Sequence, residues 1–343
     1  MCIFVANPLH MKIAFFLFSN LVSAFVCSAQ IPVLYLEGEA QGTTYHITYA
    51  DAQDRNFLPE ITALLDAFDQ SVSTYQPHSI ISRVNANDTA VVLDSTFITC
   101  FLKAKEIWEN TNGAFDPTVF PLVNAYGFGP QKKQQINPRL IDSLCTFVGF
   151  EKIALVGSKI IKSDPRVSLD FNAFAQGYSV DVIARFLRQQ GITSYIVEIG
   201  GEVYAEGSQP NGDPWFIGIE KPIENKTSSN PLFIAVELDH LGVATSGNYR
   251  RFIEENGVKY VHHIDPKTGY PTKNNLLSAS VFSKACIVSD ATATGLLVLG
   301  LEEAKRYLNA HPELMVYLIY SDDVGNYQVY QSPQLAGFLI DVE

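Results

Sequence analysis

The sequence predicts an α+β fold of largely antiparallel sheets with packed helices. Apolar residues recur at helical spacing mainly before Gly191 and fall into strand-like runs after it, and no regular strand–helix–strand rhythm joins the two regions. Composition agrees: of 343 residues 47% are hydrophobic and only 17% charged, which excludes a disordered chain and leaves ample apolar surface for a core. Residues 30–343 are read as one unit, with two tightly packed lobes as the alternative arrangement.

Met11-Lys12, the apolar stretch Ile13 to Val26, and Cys27-Ser28-Ala29-Gln30 follow the basic, apolar, small order of a secretory signal. That stretch is shorter than the ~20 residues needed to cross a bilayer. Residues 1–29 are therefore expected to be a leader, with Met11 as an alternative start and a buried N-terminal helix as the competing structure. Cys27 raises lipidation, against which the bulk of Phe25 and Val26 argues. Beyond the leader, a strand-like stretch runs from Val33 to Tyr49, where Tyr45, Ile47 and Tyr49 alternate with polar neighbours. Leu58, Ile61, Leu65 and Phe68 predict a helix, followed by the turn-rich Ser73 to Pro77. Phe97, Phe101, Ala104 and Trp108 predict a second helix ending near Asn112-Gly113, and Val180, Ile183, Ala184 and Leu187 a third, closed by Gly191.

Strands are then expected at Tyr195 to Ile199 and Val203 to Ala205 around a Gly200-Gly201 turn, at Trp215 to Ile219 and at Leu232 to Leu238. Glu224 to Asn230 reads as a surface loop. A strand from Ser278 to Phe282 leads into helices at Ile287 to Leu299 and Ala304 to Leu308, and two strands close the chain.

With 24 basic and 36 acidic side chains the net charge is −12, and no run of like charges suggests a basic groove, so nucleic acid is not an expected partner. An acidic protein that handles phosphates needs a metal ion to offset repulsion. Cys100, Cys145 and Cys286 remain beyond the leader without a CxxC pair, which supports neither a disulfide scaffold nor a thiolate metal site; buried small hydrophobes are expected.

Four stretches could carry chemistry. In SDATATGLLVLG, Asp290 and Thr294 stand one helical turn apart, so a carboxylate and a hydroxyl share one face and could supply two oxygens to a hard cation; an exposed acid beside a core threonine is the plainer alternative. In LDFNAFAQGYSVD, Asp170 stands before a helix, where it either caps the helix or belongs to an anion-binding end. Gly177 inside that helix suits a close approach of another backbone or a ligand, and Gln176 offers a donor without charge. In GVATSGNYRRF and VHHIDPKTGYP, Thr245-Ser246-Gly247 either hold a phosphate or make a turn, and Asp265 to Gly269 form a rigid turn that would fix His262 or His263. In the fourth, Tyr75, Phe115 and Tyr126 lie in Gly- and Pro-rich segments, available to stack on a planar heterocycle or to pack beneath the loops, and Asp116 could accept from a base or fix its turn.

Taken in order, GTTYHITY (Gly42 to Tyr49), STYQPHSIISRVN (Ser73 to Asn85), GAFDPTVFPLVNAYGFG (Gly113 to Gly129), LDFNAFAQGYSVD (Leu169 to Asp181), VEIGGEVYAEG (Val197 to Gly207), ATSGNYRRF (Ala244 to Phe252), HHIDPKTGYP (His262 to Pro271) and SDATATGLLVLG (Ser289 to Gly300) resemble the ApbE family of FAD:protein FMN transferases. The resemblance implies an ApbE-like fold and an enzyme that cleaves FAD and attaches FMN to Ser or Thr of an acceptor flavoprotein. Periplasmic acceptors, such as flavin-bearing subunits of membrane redox complexes, and association with the inner membrane are implied as well. It implies Mg²⁺ on the Ala173 carbonyl, the Asp290 carboxylate and the Thr294 hydroxyl, and flavin-nucleotide contacts at Thr74, Tyr75, Asp116, Tyr126, Asp170, Gln176 and Ile264. His262 would lie near the reacting phosphate, with Asp290 sharing the catalytic role. The chain departs from the family pattern at Gln176, where many members carry Lys, at Asn172, where many carry Gly, and at Tyr126, where many carry Trp.

Overall fold

Gln41 and Gly42 break the strand-like stretch from Val33 to Tyr49 into a hairpin, β1 (Val33–Ala40) and β2 (Thr43–Ala50), where one continuous run was expected. The computed structural model describes residues 31–220, 232–248, 252–255 and 258–340, so the expected leader and the loop at Glu224 to Asn230 lie outside the described residues. Among the described residues no helix is long and apolar enough to cross a membrane.

Helix α1 (Leu58–Val72) buries Ile61, Leu65, Phe68 and Val72, so the stripe read from the sequence runs one turn further, while Leu58 at its start is exposed. A short helix α2 (Ile80–Asn85) follows, its Ser79 cap accepting from the Ser82 N–H, and α3 (Ser95–Asn110) is capped by Asp94, which accepts from Phe97. Next come a 3₁₀ turn at Pro117–Val119, α4 (Phe120–Tyr126), α5 (Pro138–Cys145) and the hairpin of β3 (Ile153–Val156) and β4 (Lys159–Lys162). The short helices among these span too few turns to leave a periodic signature. α6 (Ala175–Gln189) begins before the periodic stretch that predicts it, and Phe174 rather than Asp170 occupies its N-cap position.

The remaining strands are β5 (Tyr195–Ile199), β6 (Glu202–Glu206), β7 (Trp215–Glu220), β8 (Leu232–Leu238), β9 (Leu241–Gly247), β10 (Phe252–Glu255), β11 (Val258–Val261), β12 (Leu276–Ser283), β13 (Met315–Ser321), β14 (Tyr327–Gln331) and β15 (Leu339–Ile340). Helices α7 (Cys286–Leu299) and α8 (Leu301–Ala310) stand between β12 and β13. The main sheet has eight strands in the order β1-β2-β5-β6-β9-β12-β13-β14, and every neighbouring pair is antiparallel. Thr245-Ser246-Gly247 thus belong to a strand inside this sheet and do not form the turn or phosphate loop considered from sequence.

Alternation along the strands sends side chains to two different cores. Ile47, Val197 and Ile199 pack on Val180, Ile183 and Leu187 of α6, and Val281, Val316 and Leu318 pack on α7 and α8. On the opposite face Ile196, Val203, Phe282 and Ile319 pack on Trp215, Ile217, Val236 and Leu238 of the small sheet β15-β8-β7. Both faces are covered, so β5 and β6 are buried along their whole length. A further core joins α1 to α3 with Phe171, Phe174, Tyr178 and Ile287, placing α6 and α7 between the sheet and the N-terminal helices.

Within that layer α6 and α7 meet at Gly177. A Cβ there would lie 2.6 Å from the Cys286 carbonyl oxygen and 2.7 Å from the Asp290 Cβ, so no larger residue permits this crossing. The helices also bond across it: the Gly177 N–H donates to Asp290 Oδ2 at 3.0 Å, and Asp181 accepts from the N–H groups of Cys286 (2.7 Å) and Ile287 (2.9 Å). Asp181 therefore caps α7 from another helix, satisfying donors that α7 cannot bond itself. Cys286 and Cys100 are fully buried and Cys145 partly so.

Gly177→Ala should force the helices apart and cost about 1–3 kcal/mol in urea unfolding; an unchanged midpoint and slope would show that the crossing yields freely. Burial pushes the Asp181 carboxyl up to about 6, against the pull of the Ile287 and Cys286 N–H groups. A carboxyl raised in this way gives stability that is complete below its unfolded value of ~3.9 and is lost as pH rises through about 6. Unfolding free energy measured from pH 4 to pH 6 should accordingly decline less steeply in Asp181→Asn than in the parent chain, and identical slopes would contradict the assignment.

Candidate active site

The α6–α7 crossing gathers oxygen atoms. Asp290 is 7% exposed, and burial first, then the charges of Glu202 and Asp181, push its carboxyl well above the ordinary carboxylate range, with the Gly177 N–H opposing. Among the described residues no Lys or Arg is ion-paired with Asp290. One turn along α7, the Thr294 hydroxyl lies 3.4 Å from the Ala173 carbonyl oxygen and 3.2 Å from Ser246 Oγ. Of the residues named by the family resemblance, Ala173 and Thr294 are in contact, and Asp290 stands one turn back along α7, bonded to Gly177.

The donor chemistry fits a small hard cation. Carboxylate, hydroxyl and carbonyl are all hard oxygen ligands, and neighbouring ligands of Mg²⁺ lie ~3 Å apart, close to the Thr294–Ala173 separation. A buried carboxylate whose neighbours are acidic is also the group that a cation stabilises most. Among the described residues no group of three or more His, Cys, Asp or Glu could hold a metal; the set at the crossing is of another kind, with a single carboxylate beside neutral oxygens.

Thr74 and Tyr75 sit in the loop between α1 and α2, with the Tyr75 ring 61% exposed. The loop is fastened at its base, where Ser73 O accepts from Ser79 Oγ at 2.7 Å, and at its rim, where Asn172 Nδ2 donates to Thr74 Oγ1 at 3.1 Å. Asp170 faces the same region. Its Oδ1 accepts from the Asn172 N–H at 2.9 Å, forming a turn ahead of α6 and not a cap on it, and burial raises its carboxyl to about 6. A cavity of about 630 Å³ opens beside Thr74, lined among others by Asn85, Phe120, Asn124, Phe147 and Ser168. Gln176, in the first turn of α6, packs against the β5–β6 turn: a Cβ at Gly200, whose φ is +68°, would lie 2.6 Å from Gln176 Nε2.

Other candidates are built inward. Phe115 is 2% exposed and packs on Phe174 with ring centroids 5.6 Å apart, so it is a core residue and not an open stacking face. Tyr126 is 3% exposed, its hydroxyl donating to Gly269 O at 3.2 Å and its ring packed with Leu122, Ile141 and Ile264. The open face expected of Tyr126 is therefore closed by packing. Asp116 accepts from Thr118 N (2.8 Å), Thr118 Oγ1 (2.6 Å) and Phe150 N (3.0 Å). It fixes its turn, and burial raises its carboxyl to about 6. Pro117 O accepts from the Asp170 N–H at 2.9 Å, joining this turn to the segment before α6.

His262 and His263 part company. His263 is buried, with Nδ1 2.9 Å from Asn248 Oδ1, and burial holds its pKa well below the ordinary value, so it is neutral and structural. The half-buried His262 ring lies 3.9 Å from that of His263 and 6.2 Å from Phe128. The turn after them is rigid as expected: Asp265 accepts from Lys267 N and Thr268 Oγ1, and the Gly269 N–H closes on Asp265 O. Sequence reasoning missed Asn85, whose amide bonds both the N–H and the carbonyl of Leu169 at 2.8 Å, and Lys162, whose ammonium donates to Val84 O at the end of α2. Both are polar residues in unremarkable contexts, and neither carried a spacing signal.

Residues 41–318 match the sequence model of the ApbE family. The FAD:protein FMN transferase of Haemophilus influenzae is 37% identical over 318 residues, covering 89% of this chain and 91% of its own, and that of Escherichia coli K12 is 33% identical over 319 residues, covering 90% of each. Among solved structures, the flavin transferase ApbE from Vibrio cholerae superposes with a TM-score of 0.81 at 34% identity, over 90% of this chain and 99% of that one. The apo flavinyl transferase ApbE of Pseudomonas stutzeri gives 0.80 at 30% identity, over 90% and 98%. Sequence and fold agree along nearly the whole described chain, and the protein belongs to the ApbE family.

Proposed function

We propose that this chain is a Mg²⁺-dependent FAD:protein FMN transferase, which joins FMN through a phosphoester to a Ser or Thr of an acceptor flavoprotein and releases AMP. The observation that carries the reading is the convergence of Asp290, Thr294 and the Ala173 carbonyl at the α6–α7 crossing. A cavity lined by Thr74 and the exposed Tyr75 next to it in sequence offer room and a ring face for a flavin nucleotide. Names of relatives support the flavin chemistry.

FAD carries a pyrophosphate, and its cleavage calls for positioning and charge neutralisation more than for a protein nucleophile. Asp290, Thr294 and the Ala173 carbonyl would hold Mg²⁺, which supplies charge neutralisation to the phosphate oxygens and the departing AMP. The acceptor hydroxyl attacks the FMN phosphorus in line, an oxygen–phosphorus bond to the acceptor forms, and the bond to the AMP oxygen breaks. His262 takes the hydroxyl proton, with Asp265 in the turn behind it as the alternative base. Tyr75 offers its exposed ring to the flavin, Thr74 and Asp170 offer polar contacts, and Gln176 gives a neutral donor where many relatives carry a cation. Tyr126, Asp116 and Ile264 shape the wall from within. The leader expected over residues 1–29 makes the protein exported and periplasmic, anchored to the membrane if Cys27 is lipidated, where flavin-bearing subunits of redox complexes are the acceptors.

A second reading keeps the site and replaces the acceptor hydroxyl by water, giving FMN and AMP. A third, a periplasmic flavin-binding protein without chemistry, leaves the buried oxygen cluster without a role. Incubation with FAD, Mg²⁺ and an acceptor domain separates the three, because transfer adds an FMN-sized mass to the acceptor and releases AMP, hydrolysis releases AMP without acceptor, and binding does neither.

Asp290→Ala should abolish metal-dependent AMP release and also the rise in melting temperature that Mg²⁺ gives the parent chain; retention of either effect at full size would remove Asp290 from the metal site. Gln176→Lys should tighten FAD binding by roughly tenfold, the scale of one charge-assisted hydrogen bond to phosphate. Unchanged affinity in a titration of flavin fluorescence would take Gln176 away from the phosphates.

A further inference from the structure

Asn172 connects the two segments that would meet the flavin nucleotide, and it does so at their exposed rim. Its side-chain Nδ2 donates to Thr74 Oγ1 at 3.1 Å, across 98 positions of sequence. The same residue serves Asp170, whose Oδ1 accepts from the Asn172 backbone N–H at 2.9 Å. In the contact with Thr74 the amide nitrogen donates and the hydroxyl oxygen accepts.

This donor constrains the Thr74 hydroxyl. A threonine hydroxyl has one hydrogen and two lone pairs; with a lone pair occupied by Asn172, its hydrogen turns away from the amide, towards the open side. The segments themselves do not need Asn172. Asn85 already bonds both the N–H and the carbonyl of Leu169 at 2.8 Å, and Ser73 O already accepts from Ser79 Oγ at 2.7 Å. Asn172 is exposed, as is its bond to Thr74, so this bond contributes little to folding.

We propose that Asn172 is a positioning residue for flavin-nucleotide binding: it holds the Thr74 hydroxyl as a hydrogen-bond donor to an acceptor oxygen of the ligand, either a carbonyl or hydroxyl oxygen of the riboflavin half or a phosphate oxygen. The inference rests on the flavin reading above. It gives a physical role to one of the positions at which this chain departs from its family.

The test uses the full-length protein with Asn172→Asp, Asn172→Gly and Thr74→Val. Aspartate keeps the shape of Asn172 but draws the Thr74 hydrogen onto itself, so FAD affinity should fall by about tenfold, the scale of one misdirected hydrogen bond; glycine frees the hydroxyl to rotate and should cost less. KM for FAD should rise in step while kcat at saturating FAD and the melting temperature stay at parent values, a split that a merely structural residue would not give. In the Thr74→Val background, Asn172→Asp should have little further effect, whereas fully additive losses would overturn the coupling. Binding of riboflavin and of ADP locates the oxygen: a loss that follows riboflavin puts it on that half, and one that follows ADP puts it on the pyrophosphate. If Thr74→Val leaves FAD affinity untouched, the flavin placement of Thr74 fails. If Thr74→Val weakens binding and neither Asn172 variant does, the positioning role fails alone.

Discussion

The site depends on one close contact, the crossing of α6 and α7 at Gly177. Because that residue lacks a side chain, the α6 backbone comes near enough to donate its N–H to Asp290. The partner bond runs the other way, from the first N–H groups of α7 to Asp181 on α6. Each helix thus satisfies a polar group that the other has buried, and the two cannot shift independently. Ala173, just ahead of α6, and Thr294, on the next turn of α7, inherit their approach from this lock. Without it, the Asp290 carboxyl would lose its backbone donor and these oxygens would have no common frame.

Burial gives the same corner its electrostatic character. Asp290, Glu202 and Asp181 crowd an interior with acidic groups, and the free-energy cost of charging Asp290 is correspondingly high. A structural protein would relieve such a cost with an apolar residue or an ion pair. Here the carboxyl stays, with neutral oxygens from Thr294 and Ala173 beside it, the arrangement in which a small divalent ion stabilises the ionised form most strongly.

Much of this was legible in the sequence. The spacing of Asp290 and Thr294 put two oxygens on one helical face, and Gly177 within a helix pointed to a close approach, which turned out to be the Cys286 backbone. Long periodic helices such as α1, α3 and α6 announce themselves because each buries a stripe over several turns, and α7 by an apolar run buried nearly all round. The short helices α2 and α4 do not, and the Gln41–Gly42 turn was hidden between two alternating stretches that read as one strand. At the site, the aromatic side chains that the sequence leaves open between stacking and packing are packed ones. Phe115 and Tyr126 stand in loop-like sequence, yet Phe174 and Ile264, distant in sequence, close over them. No local pattern reports such coverage. The Asn172–Thr74 and Asn85–Leu169 bonds were invisible for the same reason, each joining residues far apart in the chain.

The proposed cation site rests on the lock at Gly177, from which Asp290, Thr294 and the Ala173 carbonyl take their places. Anomalous X-ray scattering from crystals of the protein soaked in Mn²⁺, a stand-in for Mg²⁺ with a measurable absorption edge, tests it most directly. The predicted result is a strong peak within bonding distance of those three oxygens, absent in crystals of Asp290→Ala. A peak elsewhere with this corner empty, or density at the corner that survives the substitution, would contradict the claim.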